Sequence, residues 1–183
     1  MNIFNKKKLD NHPYYKKVLK GKIKENEIEE LDSLVGVAVP KDKDELMKII
    51  KFYSKNYPTH SLNWLDVSGI TDMSHLFEES DYNGDISKWN VSNVTDMSNM
   101  FYLAEEFNQP IGEWDVSNVT NMSNMFKWTK EFNQPIGSWD VSSVTNMKFM
   151  FYKAEKFNQP IGEWDVSGVT DIAYMFSRTK EFN

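Results

Sequence analysis

Five tryptophans, Trp64, Trp89, Trp114, Trp139 and Trp164, stand 25 residues apart, and a chain that keeps so strict a period folds as a stack of equivalent units. Other columns keep the same step: Val91, Val116, Val141 and Val166; Val94, Val119, Val144 and Val169; Met97, Met122, Met147 and Ile172; Phe101, Phe126, Phe151 and Phe176. "FNQPIGEWDVSNVTNMSNMF" at residues 107–126 returns as "FNQPIGSWDVSSVTNMKFMF" at 132–151. The first copy is irregular, with Leu65 after Trp64 and "YNGDI" at 82–86, as befits an end unit with one neighbour. A unit of this length cannot bury its apolar face alone, so each must offer the same face to an identical neighbour. The Trp, Val, Met and Phe columns are therefore predicted core. Asn108, Asn133 and Asn158 are predicted to form a ladder in which each side chain bonds the backbone of the adjacent turn.

Within one period two spacings alternate. From Thr95, Met97, Met100, Phe101, Ala104 and Phe107 fall at helical offsets, with Thr95 as N-cap and Asp96 in the first turn, which predicts a helix of about three turns ended before Pro110. "GEWDVS" then alternates, with Trp114 and Val116 on one side and Glu113, Asp115 and Ser117 on the other, which predicts a short strand. The expectation is an α/β solenoid of about five 25-residue strand-helix turns over residues 62–183.

The chemistry-bearing inventory is short. The 183 residues contain no cysteine, which removes disulfides and thiolate sites, and only three histidines, His12, His60 and His75, at unrelated repeat positions. No phosphate-binding glycine loop or nucleophile elbow is present, and the serines at 92, 117, 142 and 167 form one equivalent column where a nucleophile needs a singular setting. No catalytic residue, metal site or cofactor is expected. No apolar run reaches the roughly 18 residues of a membrane span, and the start of the chain has a basic patch without a signal-peptide core. Residues 1–59 hold 13 Lys against 9 Asp plus Glu, net +4, which leaves 8 basic and 18 acidic residues, net −10, for residues 60–183. Such a body repels phosphate backbones, so only Lys6, Lys7, Lys8, Lys16, Lys17, Lys20, Lys22 and Lys24 could meet nucleic acid, and residues 1–35 are read as a basic, partly disordered segment with no nucleic-acid role.

Two surfaces qualify as candidate sites. Asp115, Asp140 and Asp165, with Glu113 and Glu163 beside them, form an acidic strand face. Local hydrogen bonds to the following Ser would relieve its like-charge repulsion; a divalent cation or cationic partner is the sharper alternative. The second lies where the copies disagree: "YLAEE", "KWTKE", "YKAEK" and "SRTKE" follow the successive Met-Phe pairs. Tyr102, Leu103, Trp128 and Tyr152 set large side chains outside the core columns there, and exposed Trp and Tyr are hot-spot residue types, so this ridge is the candidate binding surface.

"WDVSNVTNMSNMF" together with "FNQPIG" resembles the 25-residue repeat of the BspA-like leucine-rich-repeat family of bacterial surface proteins, which includes mycoplasma-type surface lipoproteins. The resemblance covers about residues 62–183, and "VAVPKDKDELMKIIKFYSKNYPTHSLNWLDVS" resembles the strand and helix that open such repeat regions. It implies a leucine-rich-repeat-like solenoid with an N-terminal cap over 36–61, built from a strand at Val37 and Val39 and a helix from Asp44 to Lys55. It also implies a non-enzymatic, adhesin-like scaffold for a protein partner, at the cell surface or secreted. The alternative is a structural or antigenic array without a dedicated partner. The last apolar face, around Trp164, Val166, Ile172, Met175 and Phe176, has no following copy, which suggests that this end either packs against a second copy, as a homodimer, or continues in a longer chain.

Overall fold

The structure, a computed structural model, describes residues 13–183. Three helices open it: α1, Pro13–Leu19; α2, Glu25–Asp32; and α3, Lys43–Asn56. α3 begins where the Asp42 carboxylate accepts the Glu45 N–H at 3.0 Å, and it buries Leu46, Ile49, Ile50 and Tyr53, one stripe of its surface. Tyr15 and Val18 of α1 and Ile28 and Leu31 of α2 are also buried, so the segment read as partly disordered contributes to the core from Tyr15 onward. Lys17 of that basic segment pairs with Glu27. Lys6, Lys7, Lys8 and His12 lie outside the described residues.

The expected α/β, leucine-rich-repeat-like strand-helix solenoid does not form. Among the described residues no helix follows Asn56, and strand-type pairing is reduced to isolated parallel bridges: Ala38 with Leu65, then Asp72, Asp96, Asn121, Asn146 and Asp171 in succession. The cap strand expected at Val37 and Val39 is likewise a single bridge. Each repeat is a run of tight turns. Met100, Tyr102 and Ala104 donate back three residues, to Met97, Asn99 and Phe101, at 3.2, 3.1 and 3.0 Å. The intervening N–H groups of Met97, Asn99, Phe101 and Leu103 donate instead to Asn121, Ser123, Met125 and Lys127 of the next repeat, at 2.9 to 3.0 Å. A helix would direct all of these back four residues within its own turn.

The backbone reason is a pair of left-handed residues in every repeat. Asn99 and Leu103 have φ of 56° and 59°, and the same two columns hold His75 and Glu79, Asn124 and Trp128, Phe149 and Lys153, and Tyr174 and Arg178. A right-handed helix cannot contain them. Overlapping four-residue turns, with left-handed residues four apart, nonetheless reproduce the i, i+3, i+4, i+7 spacing that a helix would show. The expected strand at 113–117 is also two turns, closed by Trp114 donating to Ile111 at 3.2 Å and Val119 to Val116 at 2.9 Å.

Stacked repeats then align like atoms. Phe77, Phe101, Phe126, Phe151 and Phe176 form a column with centroids 5.2 to 5.6 Å apart and planes within 10°. Each indole N–H from Trp89 to Trp164 reaches a carbonyl of the preceding turn, Leu62, Ile86, Ile111 or Ile136, at 2.8 to 3.3 Å, which is why tryptophan and not a plain aromatic recurs. Trp64 follows the cap instead of a repeat, and among the described residues its Nε1 and the nearby Tyr53 Oη are buried with no well-formed hydrogen bond. Asn108, Asn133 and Asn158 do form a ladder, each backbone N–H donating to the Oδ1 of the Asn one turn earlier at 2.9 to 3.0 Å.

Candidate functional site

Every residue of the acidic face, Glu113, Asp115, Asp140, Glu163 and Asp165, is exposed. Asp115 and Asp140 each accept two hydrogen bonds from the serine two residues on, N–H at 3.0 to 3.1 Å and Oγ at 2.6 Å, and Asp165 accepts the Ser167 N–H at 3.0 Å. The Ser142 and Ser167 hydroxyls first, and their backbone N–H groups second, hold the Asp140 and Asp165 carboxyls below the ordinary aspartate range. The carboxylates thus close turns of the backbone. Among the described residues no group of three or more His, Asp or Glu is placed to hold a metal ion, and His60 and His75 face Asp32 at 2.6 Å and Glu78 at 2.7 Å.

On another face the left-handed columns carry the ridge. Tyr102, Leu103, Trp128 and Tyr152 are all half-buried, and the stacking of turns brings them to one surface. Leu103 and Trp128 sit at left-handed positions, with φ of 59° and 64°, and so does one residue of that column in every repeat. That strain belongs to the architecture and does not itself mark a site. The arrangement of charge does distinguish this surface. The Lys127 ammonium lies 5.2 Å from the Tyr102 ring, 4.9 Å from Phe149 and 5.9 Å from Tyr152; Lys153 lies 3.4 Å from the Trp128 ring; Arg178 lies 6.0 Å from Tyr152. Phe149 stacks on Tyr174 at 5.1 Å, which extends the ridge to the last turn.

The sequence reading named four of these residues and missed Lys127, Phe149, Lys153, Tyr174 and Arg178. Phe149 and Tyr174 carried a readable signal, since they replace the Asn99 and Asn124 of their column. The pairing of Lys127 with three rings of the two flanking turns depends on the pitch of the stack, which no spacing in the sequence states.

At its far end the stack leaves Val166, Ile172 and Tyr174 exposed at 41%, 50% and 64%, beside a shallow cleft lined by Trp164, Met175 and Phe182. No described helix is long and apolar enough to cross a membrane.

A family model described as "Mycoplasma protein of unknown function, DUF285" matches residues 47–139 and again 111–183, and the two matches together span the whole stack and most of α3. The chain belongs to this family. It is a repeat-type family, and the overlap of the two matches reflects the internal period of the DUF285 chain itself. No curated protein and no solved structure matches it.

Proposed function

We propose that this DUF285 protein is a non-enzymatic scaffold that binds a protein partner through the ridge at Tyr102, Leu103, Trp128 and Tyr152, at the cell surface or secreted, in the manner the likeness to BspA-like surface proteins implies. The observation that carries the reading is the ridge itself. Aromatic and cationic side chains gather there at positions the stack does not need, while the core columns stay uniform from turn to turn. Amphipathic rings at a half-exposed surface are the residue types on which protein interfaces concentrate their binding energy. The test compares wild type with Trp128→Ala as immobilised baits against solubilised host-cell surface proteins. A protein captured by wild type and lost by the variant is expected; identical capture by both, or none by either, would overturn the reading.

The exposed apolar end supports a second proposal, a homodimer through Val166, Ile172 and Tyr174. Light scattering over a dilution series tests it, and a monomer at every concentration up to about 100 μM would refute it.

A further inference from the structure

The cations of the ridge differ from their neighbours in what holds them. Lys130 pairs with Glu105 at 2.5 Å, Lys156 with Glu131, Lys180 with Glu155 at 2.6 Å and Lys148 with Asp171 at 3.7 Å. The first and third of these continue one another as a column, Glu105, Lys130, Glu155, Lys180, in which charge alternates turn by turn. Among the described residues Lys127, Lys153 and Arg178 take part in no ion pair. They are held by ring faces, and a ring quadrupole orients a cation without neutralising it. Desolvation first, and then the neighbouring Arg178 charge, lowers the Lys153 ammonium below the ordinary lysine value by more than the nearby Glu155 carboxylate raises it. Three cations held by rings, with no direct ion pair among the described residues, therefore line one face of consecutive turns in a region, residues 60–183, whose net charge is −10.

We infer that the ridge binds an acidic peptide segment, with Lys127, Lys153 and Arg178 taking its carboxylates and Tyr102, Trp128 and Tyr152 packing against the chain between them. The inference rests on the protein-binding reading above and names the chemistry of the partner. At a turn pitch of about 4.8 Å, three consecutive turns span roughly 10 Å, which an extended peptide with carboxylates at alternate residues, about 7 Å apart, covers with two or three acidic side chains. A long polyanion is disfavoured because it would run beyond this patch onto an acidic body, whereas a short acidic segment ends within it.

Fluorescence anisotropy with a labelled ten-residue peptide of alternating Glu and Ser, and the same peptide with Gln for Glu, tests the inference. The wild-type chain is expected to bind the Glu peptide saturably, more weakly as salt rises, and the Gln peptide at least tenfold more weakly. Lys127→Gln, Lys153→Gln and Arg178→Gln together are expected to weaken binding at least tenfold. Lys20→Gln, Lys22→Gln and Lys24→Gln, which remove as much charge from the other basic region, should change it less than twofold. Should the first triple variant shift the urea midpoint, Arg178→Gln alone, at an exposed position, is expected to cost severalfold. No saturable binding, equal losses in both triple variants, or tighter binding of heparin or a single-stranded oligonucleotide than of the Glu peptide would overturn the inference. A partner captured in a Trp128-dependent way but indifferent to the ridge charges would leave the protein-binding reading standing and remove the acidic one.

Discussion

"QPIGEWDVS" occurs twice without change, at residues 109–117 and 159–167, and the two copies live in different physical surroundings. Val116 is 1% exposed and Val166 is 41% exposed. A Cβ placed on Gly112 would meet the Pro135 carbonyl oxygen at 2.3 Å, whereas one on Gly162 would meet nothing within 4 Å. The same letters build the same local turns in both places, since Asp115 and Asp165 each hold the N–H of the serine two residues on. Local conformation is thus written in each repeat, while burial is supplied by the repeat that follows. This is the thermodynamics of a one-dimensional stack, in which stability is a sum of unit and nearest-neighbour terms.

Paired substitutions can break or sharpen that contrast. Trp139→Ala should cost about 3 to 5 kcal/mol in urea unfolding, the range for deleting a buried large aromatic, and Trp164→Ala at least about 1 kcal/mol less because it supports one interface instead of two. Equal costs would show that the following turn adds nothing. Gly112→Ala should cost about 1 to 3 kcal/mol, since the opposing atom is backbone and cannot step aside, while Gly162→Ala should be within about 0.5 kcal/mol of wild type. Val116→Ala should cost about 2 kcal/mol and Val166→Ala clearly less. The smallest effect is electrostatic. Asp140 sits below the ordinary aspartate value because Ser142 bonds its charged form, so its contribution is present above about pH 4 and is lost as the pH falls through the lowered native value. Asp140→Ala should therefore be less stable than wild type at pH 7, with the gap closing in acid; a gap unchanged at pH 2 would mean that the carboxylate bonds contribute nothing.

The period, the core columns, the asparagine ladder and the α3 helix were legible in the sequence, because each rests on side-chain pattern repeated in register. The conformation between the columns was not. Met97, Met100, Phe101 and Ala104 satisfy a helical period and a succession of four-residue turns equally well, and pattern alone does not separate the two. Cues of local chemistry were there to read: Asp96, Ser98 and Asn99 combine an Asx-type acceptor with a residue tolerant of positive φ, and Ser98 donates its N–H to Asp96 at 2.7 Å. Trp128, Phe149 and Lys153 gave no such cue, since nothing in a bulky side chain announces a left-handed backbone, yet the same columns keep positive φ in every repeat, the last included. The ridge was half legible for the same reason. Its aromatic members broke the repeat visibly, and its cation–ring contacts came only with the pitch.

Residue-resolved amide hydrogen exchange tests the central claim most directly. The inner groups Met147, Phe149, Phe151 and Lys153 donate to Asp171, Ala173, Met175 and Ser177 at 2.8 to 3.1 Å, and the equivalent groups Ile172, Tyr174, Phe176 and Arg178 donate to no backbone carbonyl among the described residues. The account predicts slow exchange for the first four and fast exchange for the second four, although both sets occupy the same columns. Comparable protection in both sets, as continuous helices bonded within each repeat would give, would contradict it.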